Sequence, residues 1–209
     1  IYAFMGLMAA WLILKRASYL QFAMIAMIGF LAIDIRAIQK NRFIREFVVF
    51  NIRNSSLYNH VTPGNNILLH RNQDNLETQI NRYVKEYWRP LHVPAYKDYA
   101  VDSTRTTEQG MIMYQHYIGF ADLKIGCIDD AETIRNLKPA RKLNLDYLIL
   151  ANNADISAAR LAQIYRFKKI IIDPSNSYYH RQKWMTQMEK AGLSYHSVPE
   201  EGAFRVVFD

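Results

Sequence analysis

The sequence predicts an α/β protein in which two apolar amino-terminal helices precede a layered α/β domain with a mixed sheet. Three observations carry that expectation. Most of the apolar excess sits in the first 35 residues of a chain whose mean hydropathy is only −0.17. From Leu145 onward, strand-like and helix-like stretches alternate, the pattern of helices packed outside a sheet. The composition, with 14 Tyr, 10 Phe, 3 Trp and one Cys in 209 residues, excludes a disordered chain and a disulfide scaffold.

Ile1 to Leu14 carries no charge, and Tyr19 to Ile33 is apolar apart from Gln21, with Lys15, Arg16 and Ser18 between them. A bilayer core takes about 20 apolar residues in a helix. The second stretch reaches that length by including Ala17, Ser18, Asp34 and Ile35. The first reads as the tail of a longer helix, since the chain opens on Ile1 and not on methionine. Trp11, Tyr19, Lys15 and Arg16 sit where interfacial anchors belong. The charges follow the apolar run, which argues against a signal peptide. Two adjacent transmembrane helices are expected, with a buried helical hairpin of a soluble protein as the alternative. Beyond them, Arg36, Lys40, Arg42 and Arg45 share one broad face of a continuing helix, with Ile38, Phe43, Ile44 and Phe47 on another. Residues 1–46 hold six basic and two acidic groups, so four of the seven net positive charges lie there. That face suits lipid head groups or a polyanion such as DNA, and charge alone favours the lipid.

Residues 47–209 read as one domain. Phe47 to Ile52 and Leu57 to Val61 are strands by their β-branched and aromatic content. Thr62-Pro63-Gly64-Asn65 is a turn into a third strand, Asn66 to Leu69, giving an antiparallel meander. Asn75 to Trp88 carries a helical apolar period that Pro90 ends. Leu91 to Gly110 is polar and turn-rich. Met111 to Tyr117 and Asp122 to Ile128 form a strand pair. Then come strand Tyr147 to Leu150, helix Ser157 to Tyr165, strand Lys169 to Ile172, helix Tyr178 to Ala191 stopped by Gly192, and strands Ser194 to Val198 and Ala203 to Phe208.

The chain carries no phosphate-binding glycine loop, no cysteine pair at metal spacing, no His-Glu-x-x-His and no Gly-x-Ser-x-Gly. Its six histidines are scattered, whereas a zinc or two-metal centre needs clustered ligands. Asp129, Asp130 and Glu132 read as a solvated cap, and Cys127 as a small core residue. Asn152 and Asn153 suit a turn and a cap before the next helix. The run Asp173-Pro174-Ser175-Asn176-Ser177 suits a turn and N-cap, or a phosphate seat on the helix from Tyr178. Lys168, Lys169, Arg181 and Lys183 add positive charge nearby.

The order of several segments resembles the end of a ComEC-type DNA-uptake competence protein. They are V-x-F-N-I-R-N-S-S-L, T-P-G-N-N-I-L-L, L-D-Y-L-I-L-A-N-N, K-K-I-I-I-D-P-S-N-S-Y-Y-H and a final E-G-A-F, joined directly to apolar helices. In that family a membrane channel segment precedes a metallo-β-lactamase-like domain, so the resemblance implies that fold for residues 47–209. Metal-competent relatives carry Asp-Val-Gly-Gln-Gly-Asp in the first hairpin, where this chain has Asn51-Ile52-Arg53-Asn54-Ser55-Ser56. Relatives carry Pro-His-His-Gly after the late strand, where this chain has Ala151-Asn152-Asn153-Ala154. The His-x-His-x-Asp-His motif is missing between Leu69 and Leu145, and His180 alone keeps a family histidine position.

What the resemblance implies is a remnant site of Asn51, Ser56, Asn152, Asn153, Asp173, Ser175, Asn176 and His180, with no catalytic residue, no metal and no cofactor. An amide is a weak metal donor and does not support a hydroxide-generating centre. The expected role is part of a multi-pass inner-membrane channel for single-stranded DNA uptake in natural competence. Single-stranded DNA, membrane lipids and other competence-machinery proteins are the expected partners. The alternatives are a metal-dependent membrane nuclease acting on the non-transported strand and a membrane-anchored protein-interaction module.

Overall fold

The computed structural model describes residues 2–41, 44–71, 75–91, 93, 95–101, 105–108 and 110–208, with the backbone alone at 34, 37–41, 105–108 and 133. Of the basic group, Arg42 and the Lys40 side chain therefore lie outside the described residues.

Helices α1 (Tyr2–Leu14) and α2 (Ala17–Asn41) form a hairpin around Lys15 and Arg16. Lys15 takes a left-handed conformation there, with φ of 49°. Phe4 and Met5 face Ala26, Met27 and Phe30 across the hairpin. Ile13, Phe22, Ile25, Ile28 and Ile33 are exposed. The three apolar cores of the protein draw on residues from 47 onward. Among the described residues no helix is long and apolar enough to cross a membrane.

The rest is a four-layer α/β/β/α sandwich of two main sheets packed face to face, and both sheets are mixed, as the sequence leads one to expect. The first has the order β14-β1-β2-β3-β4 and the strands β1 (Glu46–Val49), β2 (Leu57–Thr62), β3 (Asn65–His70), β4 (Tyr96–Ala100) and β14 (Phe204–Val207). Its expected meander is present, with Phe47 opposite His60 and Tyr58 opposite Leu69. Pro63 and Gly64 make the tight turn, and Gly64 has φ of 84°, where a Cβ would be strained. The chain's last strand returns to close this sheet, pairing Glu46 with Val207.

The second sheet has the order β13-β12-β10-β8-β7-β6-β5. Its strands are β5 (Arg105–Glu108), β6 (Met111–Tyr114), β7 (Tyr117–Gly119), β8 (Lys124–Ile128), β10 (Tyr147–Leu150), β12 (Lys169–Ile172) and β13 (Tyr195–Ser197). The parallel strands β10 and β12 read Tyr-Leu-Ile-Leu and Lys-Ile-Ile-Ile because both faces are covered. A two-stranded sheet pairs β9 (Leu143–Asn144) with β11 (Tyr165–Arg166).

Between the sheets lie Phe47, Val49, Tyr58, Ile67, Met113, Ile125, Cys127, Ile149 and Ile171. Outside the first sheet, Ile80, Val84 and Trp88 cover Val48, Leu57 and Leu68. They sit on one helical run, α3 (Leu76–Gln79), a π-helical turn (Ile80–Val84) and α4 (Lys85–Trp88), which a 3-10 turn at Arg89–Leu91 ends. Outside the second sheet, α6 (Ala158–Ile164) and α7 (Tyr178–Ala191) bury Leu161, Ile164, Trp184 and Met188 against Leu148, Leu150, Ile170 and Ile172. Helix α7 starts at the N-cap Ser177 and stops at Gly192 in the left-handed conformation. Short helices α5 (Glu132–Arg135) and α8 (Val198–Glu201) fill loops.

Candidate functional site

The parallel order of β10 and β12 puts their carboxyl ends side by side, the end of an open α/β sheet where ligands bind. The loops that leave them are Ala151–Ala154 and Asp173–Ser177. They are zipped together by their own polar groups. Asn152 donates its N–H to Ser175 Oγ at 2.8 Å, and Asn153 donates its N–H to Asn176 Oδ1 at 2.9 Å. Asn153 Oδ1 in turn accepts from the Ser177 N–H at 2.7 Å. Buried Asn176 donates Nδ2 to the carbonyls of Leu150 and Asp173 at 2.6 and 2.9 Å. Asn152 and Asn153 both take positive φ, 53° and 58°, a conformation asparagine tolerates.

Beneath these loops Asp173 is fully buried. Its Oδ1 accepts from Ser56 Oγ at 2.9 Å and from the Ser175 N–H at 2.8 Å, while Oδ2 has no hydrogen-bond partner among the described residues. Burial raises the Asp173 pKa, although these hydrogen bonds oppose the shift. Burial, with the Asp173 charge behind it, pushes the Tyr58 phenol up, and burial pushes the Cys127 thiol up to about 11. The Asp173 carboxyl, the Tyr58 phenol and the Cys127 thiol make this a buried polar floor in which burial disfavours the charged form of each group. Cys127 is the core residue its isolation suggested.

Ser177 Oγ and His180 Nδ1 stand 2.9 Å apart on the first turn of α7. Asn51 lines a cleft of about 420 Å³ with Arg53, Asn54, Pro174, Asn176, Ser177, Tyr178, Arg181 and Pro199. The structure thus gathers Asn51, Ser56, Asn152, Asn153, Asp173, Ser175, Asn176 and His180 at one end of the sandwich. Arg36 is exposed on α2, and Arg45 lies apart, lining a different cavity.

Sequence reasoning passed over two basic groups at this end. Arg53, in the first hairpin, is exposed on the rim of the cleft. Arg71 directly follows β3, and its guanidinium pairs with Asp129, which also meets His116 Nδ1 at 3.1 Å. Of the acidic trio read as a solvated cap, Asp130 does accept the Glu132 N–H. Asp129 instead binds Arg71. An arginine ending an apolar strand was the available signal, but its carboxylate lies 58 residues away, and only the strand pairing places the two together.

A metal of the kind used by the metallo-β-lactamase fold does not fit these residues. The Asn153 and Asn176 side-chain carbonyls each accept a backbone N–H, burial raises the Asp173 pKa, and a guanidinium occupies Asp129. Among the described residues no group of three or more His, Cys, Asp or Glu is placed to hold a metal ion.

The family model described as the ComEC C-terminal domain matches residues 47–208. The chain belongs to the ComEC C-terminal domain family. Among solved structures, the ComEC-family chain is similar to the metallo-beta-lactamase fold protein YhfI from Bacillus subtilis, at 10% identity and a TM-score of 0.43, covering 78% of this chain and 100% of that one. No curated protein matches it.

Proposed function

We propose that this ComEC-family chain serves the uptake of single-stranded DNA in natural competence, with its hairpin in the inner membrane and its α/β domain as a non-catalytic guide for the strand. The observation that carries this reading is the cleft beside α7. It combines Arg53 and Arg181 with the amides of Asn51 and Asn54 and with the exposed ring of Tyr178. Guanidinium groups hold phosphates, and an exposed aromatic ring takes an unpaired base by stacking, independent of sequence. The Arg181 guanidinium lies 5.7 Å from the Tyr178 ring centre, so charge and stacking surface are adjacent.

Family membership supports the link to competence in general. The zipped loops and the Arg71 to Asp129 pair support the absence of catalysis, because they use up the positions that a hydrolytic metal would need. The exposed Ile13, Phe22, Ile25, Ile28 and Ile33 support insertion of the hairpin into lipid.

The test is binding of a fluorescent oligothymidine to the full chain in detergent micelles at two salt concentrations, alongside a cleavage assay with zinc and manganese. Salt-sensitive binding without cleavage is expected. Chelator-sensitive cleavage would establish the nuclease alternative instead. Absence of binding at low salt would favour the protein-interaction alternative.

A further inference from the structure

A second cavity of about 420 Å³ opens away from the cleft and is lined by Arg45, His60, Thr62, Asn65, Phe120 and Asp122, among others. His60 lies on the same strand as Tyr58, four residues from Ser56, or roughly 13 Å along β2 at the usual rise. The cavity is therefore separate from the zipped loops. Arg45 lies just before β1, four residues after the end of α2, so the cavity sits where the hairpin joins the domain.

Its chemistry is unbalanced. His60 is 4% exposed and stacks on Phe120 with ring centres 3.8 Å apart; its Nε2 faces Asp122 Oδ1 at 3.4 Å, and its Nδ1 makes no hydrogen bond among the described residues. Burial lowers its pKa against the pull of Asp122, so the ring is neutral near pH 7 and offers one lone pair and one N–H. The Asp122 carboxylate, 3.4 Å from Nε2, has this neutral ring as its ionisable neighbour and no cation paired with it among the described residues. The exposed Arg45 guanidinium likewise pairs with no described carboxylate. Two opposite charges thus line one cavity without meeting. Buried polar groups in folded proteins are satisfied, so the bare Nδ1 calls for a partner. A lone anion there would face Asp122, and a lone cation would face Arg45. A ligand that carries both charges satisfies each.

We infer that this cavity binds a primary ammonium joined to a phosphate, the chemistry of a phosphoethanolamine group. The ammonium donates to the Asp122 carboxylate and the His60 lone pair, and the phosphate meets Arg45. The same chemistry is available from a lipid head group and from free phosphoethanolamine.

The experiment follows the His60 imidazole by NMR in the isotope-labelled full chain in micelles, during titration with O-phosphoethanolamine, phosphocholine and inorganic phosphate. O-phosphoethanolamine is expected to shift His60 saturably. Binding is expected to be about tenfold weaker in Arg45→Ala and in Asp122→Asn, which remove a charge-assisted contact each. Phosphocholine, whose quaternary nitrogen has no N–H, is expected to be weaker by a similar factor. An unmoved His60, an equal response to inorganic phosphate, or unchanged affinity in both variants would overturn the inference. Nanodiscs with and without phosphatidylethanolamine separate the sources: a His60 shift from the lipid alone identifies the head group, and a shift from the soluble compound alone identifies the free ligand.

Discussion

Asn153 and Asn176 tie the carboxyl ends of two neighbouring strands together: the Asn153 N–H donates to Asn176 Oδ1 at 2.9 Å, and Asn153 Oδ1 accepts from the residue after Asn176. Asn176 is buried and satisfies two carbonyls besides. Asn176→Ala leaves the Asn153 N–H without its partner, while the Leu150 and Asp173 carbonyls keep the backbone N–H groups of Asp173 and Asn176, and it removes no exposed surface feature. A destabilisation of about 2 kcal/mol is expected, since one orphaned buried group costs about 1–3 kcal/mol before relaxation and water entry. Urea denaturation of the full chain measures it, and a loss under about 1 kcal/mol would mean that the loops hold together without this side chain.

Arg53 and Arg181 line the same cleft but differ in their attachments. Arg181 donates to Glu200 and to the Asn176 carbonyl, whereas Arg53 is exposed and tied to no other side chain among the described residues. Arg53→Ala is expected to weaken oligothymidine binding and to lower the salt slope by about one, with an unchanged melting temperature. Arg181→Ala is expected to weaken binding and also to melt earlier. Equal binding by wild type and both variants would remove the cleft from the DNA path.

Glu46 is fully buried and takes Arg205 Nε and Nη2 at 2.8 and 2.7 Å, with Tyr87 donating as well. Arg205 is half exposed. The two truncations are therefore unequal. Arg205→Ala strands a buried carboxylate, which costs about 3 kcal/mol or more, while Glu46→Gln leaves a cation that reaches water. Thermal melts of the two variants are expected to show the larger loss in Arg205→Ala, and the reverse order would contradict the buried ion pair.

Asp173 and His60 give stability opposite dependences on pH. Burial raises the Asp173 pKa above its ordinary 3.8, so its contribution is full below 3.8 and is lost as pH rises through the folded value. Burial lowers the His60 pKa below 6.5, so its contribution is full above 6.5 and is lost as pH falls through the folded value. Asp173→Asn keeps the Oδ1 acceptor and is expected to gain stability relative to wild type as pH rises. His60→Phe is expected to flatten the loss on acidification below 6.5. Denaturation midpoints across pH 4–8 check both slopes.

The carboxyl-terminal half was legible where local signals were strong. Strands β10 and β12 are continuous apolar runs, and helix α7 lies between Ser177 and Gly192, so their bounds agree with expectation residue for residue. Met111 to Tyr117 read as one strand, but Gln115, with φ of 51°, breaks it into β6 and β7 through a turn without glycine or proline. Residues 96–108 carry no strand signal in the sequence because β4 and β5 are edge strands with polar sequences, which show no clear alternation. The first strand ends at Val49 and not at Ile52, where the chain turns toward the cleft.

From the sequence alone follow the apolar hairpin, the αβ alternation, the missing ligand motifs and the family resemblance. Each of these is a local property, set by residue type and short-range spacing. The two-sheet sandwich, the pairing of Glu46 with Val207, the Ser56 to Asp173 hydrogen bond and the approach of Arg71 to Asp129 came only from the tertiary structure. These contacts join residues far apart in the chain, and it is burial of both sheets' inner faces that selects them. No local propensity encodes which distant strand satisfies an open edge.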